Sequence, residues 1–360
     1  MRIAIIAPPF IPVPPKRYGG TELFTANLAI GLKKLGHEVV VYSNGESEIR
    51  AEVRWTYPKS HWPINGDFSE SLKEAHHTAW AMRDAADSCD LIHINSNHGL
   101  SFSEFVTQPL VYTIHHELVP ALSEFYSLYP QVHYVAISDF QRRRETMPRM
   151  RIIHHGIDLS WYAFRPRKQQ YLSFLGRIAP IKGVHTAIAV AKKAGIPLKI
   201  AGEVQPMFRD YFDSEVKPHL DGKLIEYVGE ADLAAKNELL GNSIAMLFPI
   251  QWNEPFGLVM IEAMACGTPV LALPGGSVEE VVRDGISGYV CRSVDDMASR
   301  ARDIASLIRP QMVRRYTEEH FSMQRMAADY ARLYTAIASP AFEIHTPELL
   351  EAGGGEHAPA

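Results

Sequence analysis

The chain has 360 residues, of which 46% are hydrophobic and 21% charged, and this composition is typical of a globular protein rather than a disordered, fibrous or coiled-coil one. Its length exceeds the roughly 250–300 residues that a single hydrophobic core usually serves, so two domains are expected. The net charge of −5, from 36 basic and 41 acidic residues, argues against nucleic acid as a partner.

Targeting signals and cysteine usage predict a cytoplasmic protein. No apolar run approaches the ~20 residues that span a membrane as a helix. After Met1 and Arg2 the apolar stretch is too short for a signal-peptide core and lacks a small-residue cleavage site. The three cysteines, Cys89, Cys266 and Cys291, form neither a disulfide framework nor a metal cluster, which is typical of a reducing compartment.

The first predicted elements form a βαβ unit. A β-branched strand at 2–7 is followed by a Pro-rich loop, then by a helix at 21–36 with apolar residues on one face, then by a strand at 37–43. Thr21 is expected to cap this helix and Gly36 to end it. Parallel pairing of the two strands requires such a crossover, so the unit predicts a parallel α/β sheet.

The same alternation continues along the chain and predicts two doubly wound α/β domains, at 1–160 and 168–320. Further strands of the first domain are expected at 91–96, 110–116 and 133–138. Strands of the second domain are expected at 169–176, 197–203, 224–230, 244–250, 269–274 and 288–291, with helices at 184–195, 232–242, 257–267 and 277–285. A last helix at 321–338 is expected to pack back towards the N-terminal domain. The Gly-, Ala- and Pro-rich tail at 339–360 is expected to be disordered.

Ligands of open α/β sheets bind at the carboxyl ends of the strands, so the loops that follow strands carry the candidate site. The loop before the first helix contains Gly19 and Gly20, where the backbone can approach an anion at the helix N-terminus. A plain tight turn is the alternative interpretation. The loop lacks the G-x-G-x-x-G fingerprint, which argues against a nicotinamide oxidoreductase.

A second loop, at 175–183, carries two cations, Arg177 and Lys182, on either side of Pro180. Arginine forks onto phosphate oxygens, whereas lysine acts as a compact point charge. The loop is therefore a candidate phosphate site, with a solvated basic turn as the alternative.

The segment 253–276 carries two carboxylates around a predicted helix start. Pro255 is tolerated only in a first helical turn, so the helix should begin nearby, with Glu254 before it and Glu262 about one turn inside. The backbone amides that this start leaves free, and that suit a phosphate or a sugar hydroxyl, belong to Phe256, Gly257 and Leu258. The alternative is that both glutamates are ordinary helix residues, one of them stabilising the dipole.

Together, the Gly-Gly loop, the LGR…KG segment and the EPFG…EAMACGTPV element resemble family 4 of the retaining glycosyltransferases, the Glu-x7-Glu type. The resemblance extends from Arg2 to about Ala338. It implies the GT-B fold, in which two Rossmann-like domains face each other across a cleft, with the acceptor on the N-terminal side and a nucleotide-sugar donor on the C-terminal side.

The resemblance also implies roles for individual residues. Arg177 and Lys182 match the pair that grips the donor diphosphate, Glu254 the acid that holds hydroxyls of the transferred sugar, and Glu262 the acid that binds the ribose. His115, in YTIHHE, matches the cleft histidine near the donor sugar better than its neighbour does. Backbone contacts to the phosphates and the sugar fall on Gly19, Gly20, Phe256, Gly257 and Leu258.

The expected activity is retaining transfer of a sugar from a nucleotide diphosphate sugar to a hydroxyl of a small molecule or glycan, with UDP favoured over GDP. No Asp-x-Asp motif occurs where a diphosphate would sit, so neither a metal nor another cofactor is expected. A nucleotide-sugar 2-epimerase of the same fold and a non-catalytic nucleotide-sugar binding protein are the alternatives.

Three further stretches have open interpretations. The Arg-rich stretch at 141–151 can contact anionic lipid, but a solvated helix face is the simpler interpretation, and membrane contact has no other support. The aromatic residues at 61–68 and 115–130 can form an acceptor platform or pack in the core. The turn at 229–232 is expected to meet the nucleotide base.

Overall fold

Two parallel β-sheets form the framework of the computed structural model, which describes residues 1–64 and 66–339. The strands are β1 (Arg2–Ile6), β2 (Glu38–Ser43), β3 (Glu52–Trp55), β4 (Leu91–Ile94), β5 (Leu110–Ile114), β6 (His133–Ala136), β7 (Met150–Ile152), β8 (Leu172–Leu175), β9 (Leu198–Ala201), β10 (Ile225–Gly229), β11 (Ala245–Phe248), β12 (Val270–Ala272) and β13 (Gly288–Val290). The helices are α1 (Gly20–Lys34), α2 (Phe68–Ala86), α3 (Pro120–Ser127), α4 (Asp139–Arg144), α5 (Val184–Ala194), α6 (Arg209–Tyr211), α7 (Leu233–Asn242), α8 (Leu258–Ala265), α9 (Val278–Val281), α10 (Val294–Leu307), α11 (Pro310–His320) and α12 (Met323–Ala338).

Each half of the chain contributes one sheet with doubly wound topology. The N-terminal sheet has seven strands in the order β3-β2-β1-β4-β5-β6-β7, and the C-terminal sheet has six in the order β10-β9-β8-β11-β12-β13. In both sheets the order reverses beside the first strand of the half, β1 or β8. Their central strands are rich in Val, Ile and Leu and fully buried because helices cover both faces. The two-domain α/β fold class is thus confirmed.

Some local predictions differ from the structure. Thr21 does not cap α1: the cap position is Gly19, and no side chain bonds to the first turn. The Arg-rich stretch at 141–151 is not one helix, because α4 ends at Arg144 and the chain then enters β7. The short edge strands β3 and β7 and the helices α10 and α11 were not predicted.

The last helix packs on the N-terminal half. In α1, Gly31 gives it room, since a Cβ there would lie 2.5 Å from the Cβ of Ala327 in α12. Tyr330 and Tyr334 of α12 are fully buried in the N-terminal core. The tail predicted at 339–360 lies, apart from its first residue, outside the described residues. Within the described part of the chain, no helix is both long and apolar enough to span a membrane.

The chain passes between the two halves twice, and the two passages run side by side. Ile157 forms a parallel bridge with Ser322. The amide of Ile157 donates to the carbonyl of Phe321 (3.0 Å), and the amide of Met323 donates to that of Ile157 (2.9 Å). These paired passages flank the cleft between the sheets.

Candidate active site

A cleft of about 670 Å³ lies between the carboxyl edges of the two sheets. It gathers all the residues that the sequence nominated for the site, from loops more than 200 positions apart in the chain. They are Gly19, Gly20, His115, Arg177, Lys182, Glu254, Phe256, Gly257, Leu258 and Glu262. The structure therefore brings the nominated residues together, and their individual roles stay predictions.

The Gly-Gly loop closes against the opposite half. Gly19 has φ 147°, and a Cβ there would lie 2.8 Å from Pro15 Cβ and 2.9 Å from Glu22 Oε2, so only glycine fits. Gly20 faces Leu258 of the C-terminal half at an ordinary contact distance of 3.7 Å for a Cβ. The backbone of this loop can therefore approach a ligand held at the start of α8.

Lys182 and Glu254 form a largely buried ion pair. Lys182 Nζ lies 2.6 Å from Glu254 Oε2, and the two side chains are 15% and 9% exposed. The indole of Trp252 contacts both residues: its Nε1 donates to Glu254 Oε2 (3.0 Å), and the ammonium lies 4.4 Å from the ring centroid. A cation and a carboxylate are thus held side by side, each with capacity for a further hydrogen bond.

Arg177 is held by neutral groups. Its guanidinium donates to Gln205 Oε1 (3.4 Å) and lies 5.8 Å from the ring centroid of Tyr18, which comes from the opposite half. Tyr18 stacks on Trp62 at 5.1 Å, and Trp62 Nε1 donates to Glu203 (3.0 Å) across the cleft. Among the described side chains, no carboxylate lies within salt-bridge distance of Arg177, so its charge is available to an anionic ligand.

Glu262 is almost completely buried in α8. Its Oε1 accepts from the hydroxyl of Tyr162 (2.7 Å) and from Lys236 Nζ (2.9 Å). Burial, followed by the nearby carboxylate, holds the pKa of Tyr162 well above its usual range, so the phenol stays a neutral donor. Because both protein donors share Oε1, Oε2 is the oxygen left for a ligand hydroxyl.

The start of α8 presents uncapped amides to the cleft. Gly257 holds the cap position with φ 82°, a left-handed conformation that favours glycine, and no side chain caps the turn. The start at Leu258 agrees with the predicted one. Phe256 anchors the loop, since its ring is buried and packs 4.9 Å from the ring centroid of His155. Amide dipoles, the Arg177 guanidinium and the Lys182 ammonium all suit a diphosphate.

His115 is neutral and oriented on the N-terminal side. Asn95 Nδ2 donates to the carbonyl of Ile6 (3.2 Å), so its Oδ1 faces His115 Nε2 (2.8 Å) and accepts the proton there. Burial lowers the pKa of His115 to about 3, so the ring carries that one proton and Nδ1 is an acceptor. His155 stacks on it at 5.5 Å, and its buried Nδ1 has no hydrogen-bond partner among the described residues.

Sequence reasoning missed several residues that complete the cleft. The nominated glutamates are contacted by three residues that belong to no motif, Trp252, Lys236 and Tyr162. The aromatic stretch at 61–68 was considered for the acceptor side, but the hydrogen bond from Trp62 to Glu203 was not foreseen. The turn at 229–232 does contribute Glu230 and Ala231 to the lining. Within residues 1–64 and 66–339, no group of three or more His, Cys, Asp or Glu side chains could hold a metal ion.

Two Rossmann-like halves that face each other across such a cleft define the GT-B class of glycosyltransferases. Solved structures share this architecture. AviGT4, a glycosyltransferase involved in avilamycin A biosynthesis, aligns over 94% of this chain and 98% of its own with a TM-score of 0.76 and 25% identity. Anabaena HepE in complex with UDP and glucose aligns over 93% and 99%, with a TM-score of 0.72 and 18% identity.

Sequence comparisons assign the family. The model for glycosyltransferase family 4 matches residues 18–161, and the model for glycosyl transferases group 1 matches residues 161–322. The glycogen synthase of Mycobacterium tuberculosis is 26% identical over 90% of this chain and 92% of its own length. A phosphatidyl-myo-inositol mannosyltransferase of Mycolicibacterium smegmatis is 25% identical over 96% of both chains. The chain belongs to glycosyltransferase family 4 and is a glycosyltransferase, as the sequence motifs predicted.

Proposed function

We propose that the protein transfers a hexosyl group, with retention of configuration and without a metal ion, from a UDP-sugar to a hydroxyl of a small molecule or glycan. One observation carries the proposal: Lys182 and Glu254 lie 2.6 Å apart. The bond that breaks in a nucleotide sugar joins a phosphate to the sugar ring. A phosphate-binding cation directly beside a carboxylate that can hold sugar hydroxyls matches the two sides of that bond.

Charge development explains what the neighbouring groups would contribute. As the bond breaks, negative charge builds up on the departing β-phosphate, where Arg177, Lys182 and the uncapped amides of α8 would stabilise it. These fixed positive groups can take the part that a divalent cation plays in other enzymes. Glu254 Oε1 and Glu262 Oε2 would accept hydroxyls of the transferred sugar and of the ribose, because the other oxygen of each already accepts from protein donors.

The state of the cleft carboxylates supports same-face departure and attack rather than a covalent intermediate. The oxygens that protein donors leave free on Glu254 and Glu262 are assigned to hydroxyls of the transferred sugar and of the ribose, so neither is left to attack the reacting carbon as a nucleophile. Among the described residues, every glutamate that lines the cleft already accepts a hydrogen bond from another side chain. The five donors are Asn253 to Glu117, Trp62 to Glu203, Arg17 to Glu230, Lys182 to Glu254 and Tyr162 to Glu262.

The N-terminal side of the cleft would receive the acceptor. It presents the neutral His115, whose Nδ1 can accept a hydrogen bond from a hydroxyl, and the stacked rings of Tyr18 and Trp62. Aromatic faces and neutral acceptors suit a polyhydroxylated acceptor better than an anionic one. The buried, unpaired state of all three cysteines supports a reducing, cytoplasmic compartment.

Calorimetric titration with UDP, GDP and ADP tests the donor side, with Glu262→Ala as the matched variant. We expect micromolar binding of UDP that is at least about tenfold weaker in Glu262→Ala and unchanged by EDTA. Tighter binding of GDP would change the nucleotide and leave the rest intact. No binding to a folded wild-type protein would overturn the donor site and favour a protein that has lost the activity.

Incubation with UDP-glucose, UDP-galactose or GDP-mannose, followed by proton NMR, tests the reaction itself. The donor that is accepted should release its nucleotide slowly to water and faster with an acceptor, and the product should keep the anomeric configuration of the donor. Inversion of that configuration would refute the retaining mechanism. Conversion of the donor into its 2-epimer without an acceptor would favour the epimerase alternative.

A further inference from the structure

Trp252 lies in the loop between β11 and α8 and contacts two donor-site residues at once. Its indole N–H donates to Glu254 Oε2 (3.0 Å), and its ring lies beneath the ammonium of Lys182 at 4.4 Å. We infer that Trp252 is a positioning residue that sets the geometry of the sugar–phosphate junction by fixing Glu254 and Lys182 relative to each other. The inference rests on the proposed function of this cleft.

The three side chains divide their hydrogen-bonding capacity in a definite way. Glu254 Oε2 accepts from both Lys182 and Trp252, which fixes the carboxylate plane and leaves Oε1 for the substrate. Lys182 donates one N–H to that oxygen, and its ammonium packs on the indole face. Its other N–H groups remain for a phosphate. An indole alone among side chains offers a rigid N–H on its edge together with a large π face.

The backbone around Trp252 is held as firmly as its side chain. The amide of Gln251 donates to the carbonyl of Ile181 (2.8 Å), which ties this loop to the turn that carries Lys182. On the other side, a Cβ at Gly275 would lie 2.6 Å from the carbonyl oxygen of Trp252, so only glycine allows this approach. The backbone that carries the indole is thus held between two loops before any substrate arrives, as preorganisation of a site requires.

This arrangement predicts separate consequences for nucleotide binding and for chemistry. UDP lacks the transferred sugar that Glu254 would hold, so loss of the indole N–H should leave the affinity for UDP unchanged. Release of the sugar should slow, because Glu254 would no longer hold its hydroxyls in the reactive geometry. Trp252→Phe removes the N–H and keeps a ring under Lys182, whereas Trp252→Leu removes both contacts.

The test measures UDP affinity by calorimetry and the rate of UDP release from the accepted UDP-hexose. We expect Trp252→Phe to lower kcat about 10-fold and Trp252→Leu about 100-fold, with the UDP affinity of Trp252→Phe within twofold of wild type. In the Glu254→Gln background, adding Trp252→Phe should lower kcat by a further factor of less than about three, because the effects of residues that act through one contact are non-additive. Trp55→Phe, on the exposed edge strand β3, is the matched control and should retain wild-type rates.

Each other result has a distinct meaning. If Glu254→Gln retains the wild-type rate, the donor-site assignment is wrong and this inference fails with it. If Glu254→Gln is impaired but Trp252→Phe is within twofold of wild type, the inference alone is overturned and the proposed function stands. An equal loss in both backgrounds, together with weaker UDP binding, would show a general structural role for Trp252 and also overturn the inference.

Discussion

Replacing Lys182 by methionine removes its charge while keeping most of its volume, and the structure predicts losses in both activity and stability. Two unit charges about 4 Å apart interact by about 4 kcal/mol at an effective dielectric constant of about 20. Lys182 already pairs with Glu254, so kcat depends only on how strongly Lys182 stabilises the charge that develops on the phosphate during the reaction. We therefore expect Lys182→Met to lower kcat by about 10²- to 10³-fold, the loss typical of one transition-state donor.

The same substitution leaves the carboxylate of Glu254 buried without its cation. Breaking a buried pair by removing one partner costs about 3–5 kcal/mol. Glu254 keeps the hydrogen bond from Trp252, so we expect a loss at or just below the lower end of that range, about 2–3 kcal/mol. For domains of this size the loss corresponds to a fall in Tm of about 5–10 °C.

Scanning calorimetry and the UDP-release assay separate the two effects. The double variant Lys182→Met/Glu254→Gln leaves no unpaired charge, so it should regain most of the lost Tm and none of the activity. A single variant that retains more than half of the wild-type kcat would refute the electrostatic role of Lys182. Recovery of activity in the double variant would show that the single variant failed through misfolding alone.

Three further predictions follow from other contacts. Arg177→Ala should lower kcat at least about 100-fold and leave Tm unchanged, because no described carboxylate loses a partner; a kcat above half of wild type would contradict this. Glu262→Ala should weaken UDP binding at least about tenfold in calorimetry, because the substitution removes a charge-assisted hydrogen bond to the ribose. Unchanged UDP affinity would contradict the assignment of Glu262 to the ribose. Burial lowers the pKa of His93 and of His115 to about 3. Below about pH 6.5 these histidines are therefore protonated in the unfolded chain but still neutral in the folded protein. The free energy of unfolding should fall on acidification by up to about 1.4 kcal/mol per pH unit for each of them. Burial raises the pKa of Glu22 to about 7, so this residue acts in the opposite sense between about pH 4.5 and 7. Denaturation at pH 7, 6 and 5 should show a shallower dependence of the free energy of unfolding on pH for His93→Gln than for wild type. Equal slopes would refute the buried neutral state of His93.

The parts of the fold and site that could be predicted are those with a local signal. Strand-like runs with helical patterns between them marked both sheets, and the motif loops nominated Lys182 and Glu254 for one cleft. Their direct contact could not be derived, because 72 positions separate them and the pairing depends on how β8 and β11 lie side by side. Trp252 was missed for the same reason: an indole in a loop shows no periodicity, and its function depends on two partners that only the fold brings near.

Errors arose where two local preferences compete. Thr21 is a good cap by residue type, but α1 begins at Gly20, so Gly19 takes the cap position and Thr21 lies in the first turn. In the Arg-rich stretch, Pro148 interrupts the helical pattern, and pairing with β6 then draws the following residues into an edge strand.

The side-by-side passages at Ile157 and Ser322 have a consequence for synthesis on the ribosome. The N-terminal sheet emerges first, yet part of its core, including Tyr330 and Tyr334, is translated only after the second half. The first half therefore cannot complete its core, and keeps an apolar surface exposed, until the second half has been synthesised. A nascent chain that stops before α12 should bind chaperones longer than the finished protein, and the two halves cannot mature as independent units.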